Sequence, residues 1–229
     1  MNESSALKIE TSKVVQFHVR EKEQPEKKKG NYKVGEKQEV YPFKTSEDLN
    51  AMHSYFLEHN QSRNDLLFVV GINIGLRAGD LLSLKWESIL NEDDSIVDSV
   101  TVKEEKTEKF RTFYFNASCK KALLSYYMEK SPKRESFLFG SQKGGNLNVR
   151  STCKILKTAA KAVGIKYNVG THSLRKTFGY HQLKAHKNDA MFLCQLQKMF
   201  GHSSPEITLR YCGLENEQLQ KYYEDVNLL

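Results

Sequence analysis

The feature that most constrains this chain's fold is a single change of period. Along most of its length apolar residues recur at helical spacing, but "SIVDSVTV" (95–102) and "FRTFYF" (110–115) alternate apolar with polar. Two such runs joined by the charged segment "KEEKTEK" (103–109) predict one β-hairpin. Upstream, Thr45 with Asp48 three residues later forms a helix cap, and Leu49, Met52 and Phe56 follow at helical spacing. A second helix covers about 63–74 and breaks at Gly75, and "AGDLLSLKWESI" (78–89) predicts another, with Leu81, Leu82 and Leu84 inward. Downstream, helices are expected over about 117–130, before Pro132, and about 147–163, before Gly164 in the C-cap position. "THSLRKTFGYHQLKAH" (171–186), "AMFLCQLQKMF" (190–200) and "SPEITLRYCGL" (204–214) give three more, the last with Ser204 as cap and Pro205 in the first turn. The tail "ENEQLQKYYEDVNLL" extends this helix or adds one. The expected class is mainly α with a small antiparallel β-sheet (α+β).

Bulk properties narrow the setting. The 229 residues suffice for one sizeable domain and a smaller appendage. A net charge of +7 favours a polyanionic partner. Cys119, Cys153, Cys194 and Cys212 lie far apart without a C-x-x-C pair, as expected for free thiols in a reducing compartment. His181 and His186 lack the partners a zinc site needs, so no metal is expected. The longest apolar run, "LLFVVGINIGL" (66–76), is too short to span a bilayer, and the N-terminus has no signal-peptide core. A cytoplasmic, intracellular protein without membrane contact is the expectation. Residues 1–44, rich in Lys and Glu, read as an exposed arm or linker, within which "KVVQFHVR" alternates Val15, Phe17 and Val19 like a short strand.

Four short stretches can carry chemistry. In "HSLR" a helix places His172 and Arg175 on one face, where a guanidinium fork and an imidazole suit an anion between them. A solvated polar face is the ordinary meaning of those four residues alone. In "GLRAGD", Arg77 follows a glycine turn at a helix start, where backbone N–H groups also favour an anion; standing alone, it reads first as an ordinary arginine capped by Asp80. The hairpin turn offers Lys103, Lys106 and Lys109, any of which can protonate a departing oxygen or simply keep the turn soluble. In "GHSSPEITLRY", His202 precedes a helix and Tyr211 follows nine residues later, one of eleven tyrosines. With an ordinary pKa near ~10, a tyrosine needs cationic neighbours to act as a nucleophile.

Taken in order, Arg77, a hairpin lysine, "THSLRKTFGYH" and "GHSSPEITLRY" resemble the tyrosine recombinase (phage integrase) family, with "GINIGLRAGDLLSLKW" matching its first-arginine box. The resemblance covers about residues 45–214. It implies that Tyr211 attacks a scissile phosphodiester to give a 3′-phosphotyrosine and a free 5′-hydroxyl. Arg77 and Arg175 would clamp the non-bridging oxygens, Lys106 would be the general acid, His172 would assist proton transfer and His202 would hydrogen-bond the phosphate. The implied partner is double-stranded DNA, handled by a homotetramer on synapsed sites, with no cofactor and no metal. Residues 215–229 would be a tail exchanged between protomers. Two departures stand out: the interval between Arg175 and His202 is longer than usual around "KAHKNDAMFL", and residues 1–44 cannot supply the core-binding domain many members carry. The alternatives are a DNA-binding protein of the same fold without recombinase activity and a type IB topoisomerase-like relaxing enzyme.

Overall fold

The structure, a computed structural model, describes residues 13–15, 39–105, 108–187, 189–214 and 223–224. Its elements are β1 (Lys13–Val15), α1 (Ser46–Glu58), α2 (Ser62–Ile74), α3 (Ala78–Leu82), β2 (Ser99–Lys103), β3 (Phe110–Tyr114), α4 (Ala117–Lys130), α5 (Val149–Ala162), α6 (Thr171–Ala185), α7 (Ala190–Phe200) and α8 (Pro205–Cys212). The class is the expected one, mostly helical with a small sheet.

Local chemistry sets the boundaries. Thr45 Oγ1 accepts from the Asp48 N–H (3.1 Å), which starts α1 as its sequence predicts. Asn116 and Asn148 cap α4 and α5 in the same way. The helix expected over 78–89 is shorter: α3 stops at Leu82, and only a 3₁₀ turn, Trp86–Ser88, follows. Lys85 is extended there and pairs with Phe137, while the Trp86 N–H donates to Ser136 O (3.1 Å) and the Leu138 N–H to Leu84 O (2.7 Å). These long-range bonds replace the helical ones. Between Arg175 and His202 the longer interval is taken up by α6 running to Ala185, a short connection and α7.

The hairpin forms as expected, with Ser99 opposite Tyr114 and Lys103 opposite Phe110. The sheet has a third strand as well. β1 pairs parallel to β2, with Val14 opposite Thr101, so the sheet is mixed. Phe17 and Val19, the rest of that alternating segment, lie outside the described residues.

Two apolar clusters organise the chain. The larger one contains Phe43, Met52, Phe56, Phe68, Trp86, Val100, Val102, Phe139, Leu156 and Leu174, contributed by α1–α6 and the sheet. Helix α2 lies at its centre, buried on almost every side, with α4 and α6 packed against it. Gly71 allows this approach to α6, since a Cβ there would lie 2.7 Å from Leu174 Cδ1. The smaller cluster, Tyr180, Leu196, Phe200, Cys212 and Leu214, seats α7 and α8 on α6. Among the described residues no helix is long and apolar enough to cross a membrane.

Candidate active site

The site forms where the two clusters meet, around the last turn of α7. Its C-terminal carbonyls have no helical partners and carry the negative end of the helix dipole, so they favour cations. Three arginines meet them. Arg77 Nη2 and Arg175 Nη2 both donate to Phe200 O, at 3.1 and 3.0 Å. Arg111 Nη1 donates to Lys198 O (2.8 Å) and to Met199 O. The next residue, Gly201, has φ +66°, and a Cβ there would lie 3.1 Å from Arg111 Nη2 and 3.3 Å from Arg77 Nη2. Only glycine fits both the turn and the crowding.

Each arginine comes from a different element. Gly75 ends α2 in the left-handed conformation, and two residues later Arg77 is the N-cap of α3. Arg175 comes from α6, is 3 % exposed, and donates a second bond from Nη1 to Gly75 O (2.7 Å). Its guanidinium also lies 4.3 Å from the Phe200 ring centroid. "HSLR" therefore does not present a wholly solvated face, because Arg175 is interior while His172 is only partly covered. Burial pulls the Arg175 guanidinium down to about 10, which leaves it charged at neutral pH.

The carboxylate balancing these cations is one that sequence reasoning missed. Glu104, in the segment read as a charged turn, is fully buried. Its Oε1 forms a close ion pair with Arg77 Nη1 (2.5 Å), and Oε2 lies 3.1 Å from Arg111 Nε. Asp80 is also buried, with Oδ1 accepting from the Glu105 N–H (3.0 Å) and its pKa raised by burial. Charge is fixed here by burial and pairing, and no pattern in "KEEKTEK" distinguishes Glu104 from its solvated neighbours.

Tyr211 sits in the last turn of α8, which starts at the Ser204 cap with Pro205 in its first turn, as predicted. Its hydroxyl is 3.3 Å from His172 Nδ1, and its ring packs edge-on against Phe200 and His202, with centroids 5.6 and 5.0 Å apart. The Lys176 ammonium lies 5.3 Å from the same ring centroid and pairs with Glu39 (2.9 Å). Burial pushes the Tyr211 phenol up to about 12, opposed by the Arg175 and Arg77 charges and a side-chain hydrogen bond from Arg175. His172 is held below its ordinary pKa by burial and then by Arg175, Lys176 and Arg77. His202 is lowered by burial, Arg175 and Arg77. Both shifts favour the neutral imidazole.

The structure brings together Arg77, His172, Arg175, His202 and Tyr211, five of the six residues singled out from sequence. Lys106 lies outside the described residues. Lys103 ends β2, and the Lys109 carbonyl accepts from the Glu104 N–H (3.0 Å). Among the described residues no group of His, Cys, Asp and Glu is placed to hold a metal ion.

A buried and a half-buried arginine set near a tyrosine suit an anionic group, and comparison with known proteins gives the family. The Phage integrase family matches residues 42–218. The chain is 34% identical over 186 residues to the probable integrase/recombinase YoeC of Bacillus subtilis (strain 168), covering 81% of this chain and 96% of that one. It is 28% identical over 162 residues to the tyrosine recombinase XerC of Staphylococcus epidermidis, with 69% of this chain and 50% of that protein covered. The chain therefore spans nearly all of YoeC but only half of that XerC. Among solved structures, XerA recombinase superposes with a TM-score of 0.62 at 22% identity, over 83% of this chain and 64% of that one. A lambda integrase dimer bound to a COC' core site gives 0.58 at 18% identity, over 76% and 49%. The chain belongs to the phage integrase family, the tyrosine-type site-specific recombinases.

Proposed function

We propose that this chain cleaves and rejoins double-stranded DNA at specific sites, with Tyr211 as nucleophile. The observation that carries this reading is the junction itself: Arg77 and Arg175 converge on Phe200 O, and the Tyr211 ring packs edge-on against Phe200 with its hydroxyl 3.3 Å from His172 Nδ1. A phosphodiester entering there meets two fixed cations beside the attacking oxygen. Tyr211 Oη forms a bond to phosphorus while the bond from phosphorus to the 5′-oxygen breaks. The 3′-phosphotyrosine conserves the ester, so rejoining by the 5′-hydroxyl reverses the step.

Proton movements follow from the pKa directions. Tyr211 is protonated at neutral pH, and His172 Nδ1, neutral and 3.3 Å away, can take the proton as the bond forms. The arginines stabilise the charge that builds on the non-bridging oxygens, where a preorganised donor is worth about 100- to 1,000-fold in rate. His202 contacts the same phosphate. The leaving 5′-oxygen needs a general acid, for which Lys106 is the assignment and Lys103 or Lys109 the alternatives.

DNA as partner is supported by structural neighbours solved on DNA, such as XerH bound to its difH substrate. It is supported as well by α5, where Arg150, Lys154, Lys157 and Lys161 recur at intervals of three and four residues, all exposed, with no acidic residue in the helix. A catalytic unit over 45–214, an N-terminal arm over 1–44 and assembly as a homotetramer through residues 215–229 complete the proposal. Of the tail residues that would dock, Tyr223 is described and is 78% exposed, whereas Leu219, Tyr222, Val226 and Leu228 lie outside the described residues. A pure DNA-binding protein has no use for a hydroxyl beside a buried and a half-buried arginine, which disfavours that alternative.

Duplexes selected from a random pool by binding to the protein, then nicked beside the bound site, provide the test. The wild type should form a covalent adduct that survives SDS, and Tyr211→Phe should bind equally but form none. An adduct with Tyr211→Phe, or none with the wild type, overturns the assignment.

A further inference from the structure

We propose that Thr208 is a positioning residue for this reaction: it accepts a hydrogen bond from His202 Nδ1, and so makes Nε2 the nitrogen that faces the phosphate. The proposal rests on the reading of Tyr211 as the nucleophile and assigns a role that the family resemblance does not.

Thr208 is fully buried one turn before Tyr211 in α8, and its Oγ1 lies 3.0 Å from His202 Nδ1. A hydroxyl has one proton to donate. In the proposed arrangement that proton goes back along the helix to Ser204 O (3.4 Å), a common bond for helical threonine. Oγ1 therefore has only lone pairs to offer His202, and the contact is satisfied only when Nδ1 carries the proton. In the neutral ring Nε2 then has the lone pair.

The rest of His202 is held as firmly. Its N–H donates to Gln197 O (3.1 Å), and Gln197 Nε2 donates to His202 O (3.2 Å), so one side chain and its own carbonyl pin the backbone. Phe200 packs at 75° with its centroid 5.4 Å away, and Tyr211 at 62° and 5.0 Å. The charged or titratable groups facing the ring are Arg175 from α6, Arg77 at the start of α3 and Tyr211 itself. These cations disfavour an imidazolium until an anion arrives. In the free protein Nε2 is an acceptor, and it becomes a donor when a bound phosphate supplies the compensating charge. Without Thr208 the Nδ1 proton loses its partner, and the ring is free to change tautomer or flip.

Thr208→Val keeps the shape and removes the acceptor, while Thr208→Ser keeps the hydroxyl. In single-turnover cleavage of the nicked duplex, the valine variant should lose about 10-fold or more in rate with DNA affinity unchanged. The serine variant should recover most of that loss. The valine variant's pH–rate profile should shift from wild type, which a purely structural role would not produce. In a His202→Ala background Thr208→Val should cost nothing further. Nitrogen-15 NMR of His202 in the DNA-free protein should show Nδ1 protonated in wild type and a tautomer mixture in Thr208→Val. Wild-type cleavage by Thr208→Val, an undiminished cost in the His202→Ala background, or an Nε2-protonated ring in wild type each overturns the proposal. Should the valine variant fail to fold, the wild-type tautomer and the serine variant decide the question. The NMR measurement needs no DNA, so failure of this idea and failure of Tyr211 as nucleophile are separately visible.

Discussion

The two halves of the site rest on very different foundations. Arg77, Glu104, Arg111 and Arg175 are anchored in elements that pack into the large cluster, and each is tied by charge or by backbone carbonyls. His202 and Tyr211 ride on α7 and α8, which the small cluster of Tyr180, Leu196, Phe200, Cys212 and Leu214 holds to α6. The first half is a fixed electrostatic floor. The second is a thin layer whose opening costs less, because local stability follows the apolar contacts broken. The arginines are thus held by the large cluster, and His202 and Tyr211 by the smaller one together with the arginine bonds to α7.

The sharpest way to break this contrast is at the seam. Arg175→Lys loses the planar fork that reaches Gly75 O and Phe200 O together, so single-turnover cleavage should fall by about 100-fold or more. Because buried carbonyls lose their partners, the melting temperature should fall too, by an amount matching about 1–3 kcal/mol per orphaned group. Unchanged stability would mean that Arg175 acts on substrate alone and does not join the halves.

A smaller effect should follow from Gly179→Ala. A Cβ there would lie 2.5 Å from Cys212 Sγ and 2.8 Å from Phe200 Cε2, so α7 and α8 must lift from α6. The expected cost is about 1–3 kcal/mol. Native-state hydrogen exchange should quicken across residues 190–212 and stay near wild type in α2 and α4. Uniform quickening would show that the clusters unfold as one unit.

The mildest probe is pH. His172 and His202 both have folded-state pKa values lowered from the ordinary 6.5, chiefly by burial. The unfolded chain binds those protons first, so their contribution to stability is present above about pH 6.5 and declines as pH falls below it. Cleavage should hold to lower pH than stability does, and decline only as the folded His172, whose pKa lies below the ordinary value, loses its lone pair. Flat stability between pH 7.5 and about 5.5 would show that neither imidazole is desolvated. In Arg175→Lys, which keeps a charge there, the decline should persist.

Local features of the sequence were legible because their causes are local. Thr45 and Ser204 announce their helices by a side-chain bond three residues long, Gly75 by its left-handed turn, and the hairpin by its period of two. The spacing in "HSLR" puts His172 and Arg175 one turn apart, and Tyr211 nine residues after His202 packs its ring against that imidazole. Other features had no local cause to read. α3 ends early because of partners at Ser136, Phe137 and Leu138. The pairing of β1 with β2 depends on a partner more than eighty residues away, so alternation in "KVVQFHVR" indicates a strand but not its neighbour.

The sequence by itself determined which residue types stand where: a fork, a turn, a cap, a hydroxyl. It did so because caps, turns and helical spacing act over a few bonds. The tertiary structure decided which charges became chemistry. Glu104 is one of three glutamates in its segment and is distinguished only by lying between Arg77 and Arg111 away from water. Arg111 reads as an ordinary strand residue until α7 brings its last carbonyls to it. Burial and pairing arise from contacts across the whole chain, and they turn a common tyrosine into one held beside two arginines.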